Sequence, residues 1–306
     1  MESLQNLENK YFYKVYGLNI CSDIEIEELV KIQVSNIDEV DIFIKLSDMP
    51  KYIIDNISVG KEAYFSEKEV YFTIKDIAIY RIVNGDTIYV QSLGGSKKDI
   101  KCFILGSSFG ALLIQRDIVA IHGGSVLANK KLFTITGDSG AGKSTLVSGF
   151  RLAGYKFLSD DVSRIKYENN IVKISPAYPQ QKLCKDAVNK FNLNINELVC
   201  LDEGRDKYAI PSKDAFLYED VVLDGLIEIV KDSQTKDVYL EEVKGISKMQ
   251  ILYKNIYRYE FLRSFGEKKV YHSTVIKIAS KTKIYRLHRP DGDFTIDKQI
   301  ERILEI

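Results

Sequence analysis

Residues 137–145 read Gly-Asp-Ser-Gly-Ala-Gly-Lys-Ser-Thr, a glycine-rich run closed by a lysine and two hydroxyls. No other stretch constrains the fold so tightly. The glycines let the backbone turn sharply and approach a ligand, and successive N–H groups of such a loop make a concave anion site. The pattern Gly-x4-Gly-Lys-[Ser/Thr] also requires a strand before it and a helix after it. Both are predicted here. Residues 132–136, Leu-Phe-Thr-Ile-Thr, read as a short buried strand. Residues 145–153 then place Leu146, Val147, Phe150 and Ala153 on one helical face, with Gly154 as a stop. In this setting Gly137, Asp138, Ser139, Gly140, Ala141, Gly142, Lys143, Ser144 and Thr145 are expected to cradle phosphates. Lys143 would reach the β/γ-phosphates and the Ser144 hydroxyl a Mg²⁺ ion. The expected ligand is ATP or another nucleoside triphosphate, because backbone N–H groups read phosphates and not the base.

The chain has 306 residues, 45% hydrophobic and 28% charged, enough to bury a core in one large or two modest domains. Its formal net charge is zero, which supplies no strong field for phosphate neutralisation, so no nucleic-acid partner is expected. Cys21, Cys102, Cys184 and Cys200 stand far apart with no C-x-x-C pair; free thiols in a reducing compartment are the expectation. The first residues carry no basic-then-apolar leader pattern, and the longest uncharged run, 102–115, is too short to span a bilayer. A cytoplasmic protein without membrane contact is expected.

Residues 1–99 read as a β-rich module. The predicted strands are 11–18, 41–45, 61–65, 69–75, 77–83 and 87–91, with hairpin signals at 66–68 and 84–86. Residues 92–99 form a junction and 100–115 a largely apolar helix. From residue 100 to 306 the pattern is α/β. Strand 119–128 carries His122, and strand 131–136, the glycine loop and its helix follow. Strand 155–159 then ends at Asp160 and Asp161, before a hairpin of 162–167 with 171–174. Later elements are strands 226–230 and 283–288 and helices 247–261 and 296–306.

A strand–loop–helix–strand unit brings both strand ends to one sheet edge, so Asp160 and Asp161 should lie beside the glycine loop. Successive strand-end side chains point opposite ways. One of the two carboxylates can hold Mg²⁺ together with Ser144. The other can take the proton of an acceptor hydroxyl. His122 is expected near the pair. Lys182, Arg205 and Lys207 are candidate contacts for the transferred phosphoryl group or the substrate. His272 and His288 belong to no pattern and read as structural or exposed.

Together, His122-Gly123, residues 137–144, Gly154-Tyr155 and Asp160-Asp161 resemble the HPr kinase/phosphorylase-like family. Its P-loop domain is related in fold to ATP-dependent phosphoenolpyruvate carboxykinase. The resemblance covers about forty residues in detail and, more loosely, residues 100–215. It implies a P-loop kinase core of the HPr kinase/phosphoenolpyruvate carboxykinase type, preceded by the β-rich domain, and an ATP-dependent protein serine kinase. It implies Lys143 on ATP phosphates, Asp160 as base, Asp161 and Ser144 on Mg²⁺, and His122 in support of the base. It also leans toward a homo-oligomer. It does not extend to the family's Arg-Gly-Leu-Gly segment or phosphorylase signature, and so implies neither a phosphorylase nor HPr as substrate. Residues 176–180, Pro-Ala-Tyr-Pro-Gln, and the opening 16–24 instead resemble a divergent subgroup found with ribosomally made peptides, including lasso peptides. That implies a precursor-peptide serine as acceptor, with the β-rich module helping to bind it. Two other readings stay open: a kinase of a small metabolite such as free serine, and a nucleotide-dependent switch or scaffold in a peptide-maturation complex.

Overall fold

Tight turns at residues that tolerate left-handed backbone set the register of the first unit. The computed structural model describes residues 10–202 and 206–306. Strands β1 (Tyr11–Val15) and β2 (Leu18–Ser22) are joined by Tyr16 and Gly17, at φ 54° and 66°. β3 (Val30–Lys31), β4 (Ile42–Leu46), helix α1 (Lys51–Ser58), β5 (Ala63–Phe65), β6 (Glu69–Ile74), β7 (Ala78–Val83) and β8 (Thr87–Ser92) follow. They form a sheet in the order β3-β1-β2-β4-β8-β7-β6-β5. The turn signals at 66–68 and 84–86 do close antiparallel hairpins, β5 with β6 and β7 with β8. Helix α1 has no counterpart in the sequence reading. It forms because Ile53 is buried with Met49, Tyr71 and Ile79, a set that assembles only in three dimensions.

The predicted helix 100–115 begins earlier and is not uniform. Ser96 caps α2 (Lys97–Phe103) by accepting from Asp99 N. A π-turn over Ile104–Ser108 follows, and α3 (Phe109–Gln115) completes the run. Gly106, Ser107 and Ser108 are weak helix formers, and the wider turn falls on them. Phe103 packs on Tyr80 and Phe109 on Tyr16, so these helices join the first sheet. The boundary expected after residue 99 therefore lies inside the first unit, which runs to Ile118 and includes Arg258–Tyr271.

The second unit comprises Val119–Tyr257 and His272–Ile306. In chain order it holds β9 (Val119–Ala128), β10 (Lys131–Gly137), α4 (Lys143–Leu152), β11 (Lys156–Ser159), β12 (Val162–Glu168), β13 (Ile171–Ser175), β14 (Gln180–Cys184), α5 (Lys185–Lys190), β15 (Val199–Asp202), β16 (Lys207–Pro211), β17 (Val221–Val222), β18 (Gly225–Asp232), β19 (Tyr239–Val243) and α6 (Ser247–Lys254). After α7 (Tyr259–Ser264) of the first unit come α8 (Lys269–Lys281), β20 (Lys283–Pro290) and α9 (Ile296–Leu304). The central sheet runs β17-β13-β12-β9-β10-β18-β20-β19, with β11 also on β9. β14, β16 and β15 make a separate small sheet. No helix among the described residues is long and apolar enough to cross a membrane.

Two expectations change in detail. The strands on either side of the glycine-loop helix run parallel, but β9 lies antiparallel between them. The direct neighbour parallel to β10 is β18. The helix expected over 247–261 breaks after Lys254, and Arg258 sits at φ 57°. The break follows from competing partners: Asn255 O accepts from His122 N, and Tyr257 N donates to Ala120 O. The chain leaves the helix to pair with β9.

Candidate active site

The glycine loop leaves β10 at Gly137 and ends where α4 begins at Lys143. Gly137, Gly140 and Gly142 all take positive φ, 137°, 77° and 107°, which side chains resist. At Gly137 space is also decisive, since an added Cβ would lie 2.5 Å from Ile229 O. The N–H groups opening α4 are unpaired within the helix and carry its positive end, a ready anion site. Lys143 Nζ donates to Gly137 O at 2.9 Å and Asp138 O at 3.1 Å, folded over its own loop. Burial pushes its ammonium below the usual lysine range, against the pull of Asp161 and Asp138.

Asp160 and Asp161 occupy the break between β11 and β12, two strands that share one partner. β11 pairs with Ser125–Leu127 of β9 and β12 with Val119–His122, so the break faces Gly123 and Gly124. This gives the His-Gly-Gly-Ser run its physical reason. A Cβ at Gly124 would lie 2.8 Å from Asp160 O and 2.9 Å from Ser159 O; one at Gly123 would lie 2.2 Å from Ile135 O. Hydroxyls tie the break down beneath. Ser125 N donates to Ser159 Oγ, Ser159 and Ser163 hydroxyls meet at 2.6 Å, and Ser163 donates to Gly123 O. Gly123 N donates to Asp161 O.

The two carboxylates differ in environment. Asp160 is buried, 4% exposed, while the Asp161 side chain is 32% exposed. Lys182 N donates to Asp160 Oδ2 at 2.9 Å, and Asp160 Oδ1 is buried without a hydrogen-bond partner. Burial, aided by the charge of Asp161, pushes Asp160 up to about 7. Burial acts the same way on Asp161, but Lys182, His122 and Lys207 outweigh it and hold that carboxyl below its usual range. The pair is thus one proton acceptor poised near neutrality and one fixed anion, the division of labour an acid–base site needs.

Each flanking group is held by a neighbour. Lys182 Nζ reaches Asp161 Oδ2 at 3.3 Å, and His122 Nδ1 lies 3.7 Å from Asp161 Oδ1. The resemblance places His122 in support of Asp160; its Nδ1 here stands within reach of Asp161. The His122 ring stacks on Tyr257, centroids 5.9 Å apart. Asn255 is buried and receives Gly137 N on its Oδ1 at 3.2 Å, joining the loop to the strand that carries His122. Gln181, next to Lys182, is fully buried and bonds Ser148 and Arg151 of α4.

Lys182 therefore sits on the carboxylate pair. Lys207 sits on β16, in the register of Cys184, with its charge felt by Lys143, Asp160 and Asp161. Arg205 lies outside the described residues. His272 bonds Tyr253 Oη, and His288 lies between Asp232 and Glu241 under the Tyr239 ring. Sequence reading missed Asn255, Gln181 and Arg289. Of these only Gln181 carried a signal, its place in the Pro-Ala-Tyr-Pro-Gln-Gln-Lys run. Arg289 donates to Ala141 O at 3.0 Å. With Gly140, Gly142, Thr145, Lys190 and Phe294 it lines an open cavity of about 310 Å³ beside the loop.

Ser144, in the first turn of α4, and the ionised Asp161 offer hard oxygen donors, the chemistry that suits Mg²⁺. No group of three or more His, Cys, Asp or Glu side chains is gathered for a metal among the described residues. Mg²⁺ bound with a nucleotide needs only one or two protein ligands, the rest being phosphate and water oxygens.

No protein-family model matches the chain, and no curated protein matches it. Among solved structures it is similar to the HPr(Ser) kinase/phosphatase from Coxiella burnetii. That similarity covers 61% of this chain and 93% of the other, at 15% identity and a TM-score of 0.33.

Proposed function

We propose that the protein is a Mg²⁺-ATP-dependent kinase that transfers the γ-phosphoryl group to a hydroxyl, a serine of a peptide or small protein. One observation supports the reading: a glycine loop of the phosphate-binding pattern lies near a carboxylate pair, in which Asp160 is buried and raised toward neutrality while Lys182 reaches Asp161 and holds it below its usual range. A module that only bound nucleotide would have no use for a buried base. The choice of serine rests on the resemblance of the motif residues.

In this mechanism the loop N–H groups and Lys143 hold the triphosphate, and the nucleoside lies in the cavity between Thr145, Arg289 and Phe294. Mg²⁺, held by Ser144 and Asp161, would neutralise charge on the phosphate oxygens. Asp160 accepts the proton of the acceptor hydroxyl. The acceptor oxygen forms its bond to the γ-phosphorus as the bond to the β,γ-bridging oxygen breaks, and ADP leaves. Lys182 keeps Asp161 ionised and fixes Asp160 through its backbone N–H. His122 adds to the first of these effects.

The test is intact-mass analysis of acceptors incubated with wild type or Lys143→Ala and Mg²⁺-ATP. The acceptors are HPr, a precursor peptide encoded beside the gene and free serine. A phosphorylated peptide or protein formed by wild type alone supports the reading. Phosphorylation of free serine alone would move the acceptor to a small metabolite. ATP binding with no phosphorylated product from any acceptor would contradict the reading.

A further inference from the structure

We propose that Lys254 is the cation that meets the γ-phosphoryl group, a role that rests on the phosphoryl-transfer reading above. It is the last residue of α6, and the next residue, Asn255, is bonded to Gly137 at the start of the loop. The helix end is thus pinned at the loop rim. Lys254 Nζ lies 2.9 Å from Asp138 Oδ1 and 3.6 Å from Glu228 Oε1.

Glu228 explains why a lysine stands there. It belongs to β18, opposite Thr136, one residue before the loop, and its side chain is 4% exposed. A buried carboxylate needs partners. Arg286 Nε takes Oε2 at 3.1 Å, which leaves Oε1 to Lys254. Asp138, by contrast, is 71% exposed, and a pair with so exposed a carboxylate is weak and readily exchanged.

The position on the loop follows from Lys143. Its Nζ bonds the carbonyl of Asp138, while Lys254 bonds the carboxylate of the same residue. Two ammonium groups therefore converge on one residue of the loop, and the Lys143 ammonium marks the β/γ-phosphates. When a triphosphate fills the loop, Lys254 keeps Glu228 and exchanges Asp138 for γ-phosphate oxygens. The flexible four-carbon stem and three donors of lysine suit that exchange. The ammonium stays protonated throughout and stabilises charge on the transferring group. A diphosphate gives it nothing to bind.

The test is calorimetric binding of Mg²⁺-ATP and Mg²⁺-ADP to wild type, Lys254→Met and Lys254→Arg. Loss of a charge-assisted contact predicts ATP affinity about tenfold or more lower in Lys254→Met. ADP affinity should stay within about twofold of wild type on the same scale, and Lys254→Arg should recover part of the ATP loss. Unchanged affinity for both nucleotides overturns the proposal. An equal loss for both also overturns it and makes Lys254 a support of the loop. Wild type that binds neither nucleotide overturns the phosphoryl-transfer reading itself, and this proposal with it.

Discussion

The backbone N–H of Lys182 donates to Oδ2 of Asp160 at 2.9 Å, and the side chain of the same lysine reaches Asp161. One residue of β14 thus addresses both carboxylates in different ways. The neutral N–H orients the base without fully discharging it. The ammonium keeps the neighbouring carboxylate an anion. The split between the two acids is the feature from which most expectations follow.

The rate of phosphoryl transfer should depend on the protonation of Asp160. Burial raises this group to about 7, and a base works only when deprotonated. Measured at saturating nucleotide, the rate should climb about tenfold per pH unit below that value and level off above it. A flat profile between pH 5.5 and 8 would remove Asp160 as the base.

Stability should run the opposite way. The folded state holds the Asp160 proton up to about pH 7, whereas an unfolded aspartate releases it near ~3.9. Between those values the folded chain binds more protons, so its stability falls as pH rises. Asp160→Asn removes this effect and still offers an oxygen to Lys182 N. In metal- and nucleotide-free protein, the variant should gain on wild type between pH 5 and pH 8, by on the order of a few kcal/mol. Chemical denaturation at the two pH values measures the difference; an unchanged gap would contradict the burial argument.

Gly123→Ala should destabilise more than Gly124→Ala. The first Cβ meets backbone at 2.2 Å; the second meets a Val147 methyl at 2.7 Å and two carbonyls just below 3 Å. Overpacking of this kind costs about 1–3 kcal/mol, with the first at or beyond the upper end. Thermal melts give the order. Gly124→Ala should also slow transfer out of proportion to its stability loss, because it presses on the carbonyl of Asp160 itself.

Asn255→Leu should weaken nucleotide binding. It leaves Gly137 N without its acceptor at the mouth of the loop, at a cost of about 1–3 kcal/mol for a buried unsatisfied donor. Titration with a fluorescent ATP analogue should show the loss, and affinity equal to wild type would show that Asn255 does not shape the loop.

The residues legible in the sequence were those whose chemistry demands a local pattern. The glycine loop, the hairpins at 66–68 and 84–86, and the Asp160-Asp161 pair after a strand all carry their spacing within a few positions. The expected helix 247–261 failed because Asn255 and Tyr257 have backbone partners on β9, more than a hundred residues away in sequence. In the sequence Glu228 is one charge in an apolar strand. Only the parallel pairing of β18 with β10 sets it beside the loop. The meaning of Gly123-Gly124 was equally hidden, since it depends on the closeness of the β11–β12 break across the strand.

The most direct measurement is intact-mass detection of phosphoryl transfer by Asp160→Asn beside wild type at pH 8, with nucleotide affinity measured on both. The account predicts that Asp160→Asn binds Mg²⁺-ATP as wild type does and forms phosphorylated acceptor at least about a hundredfold more slowly. Equal rates from the two proteins, with equal nucleotide binding, would contradict it.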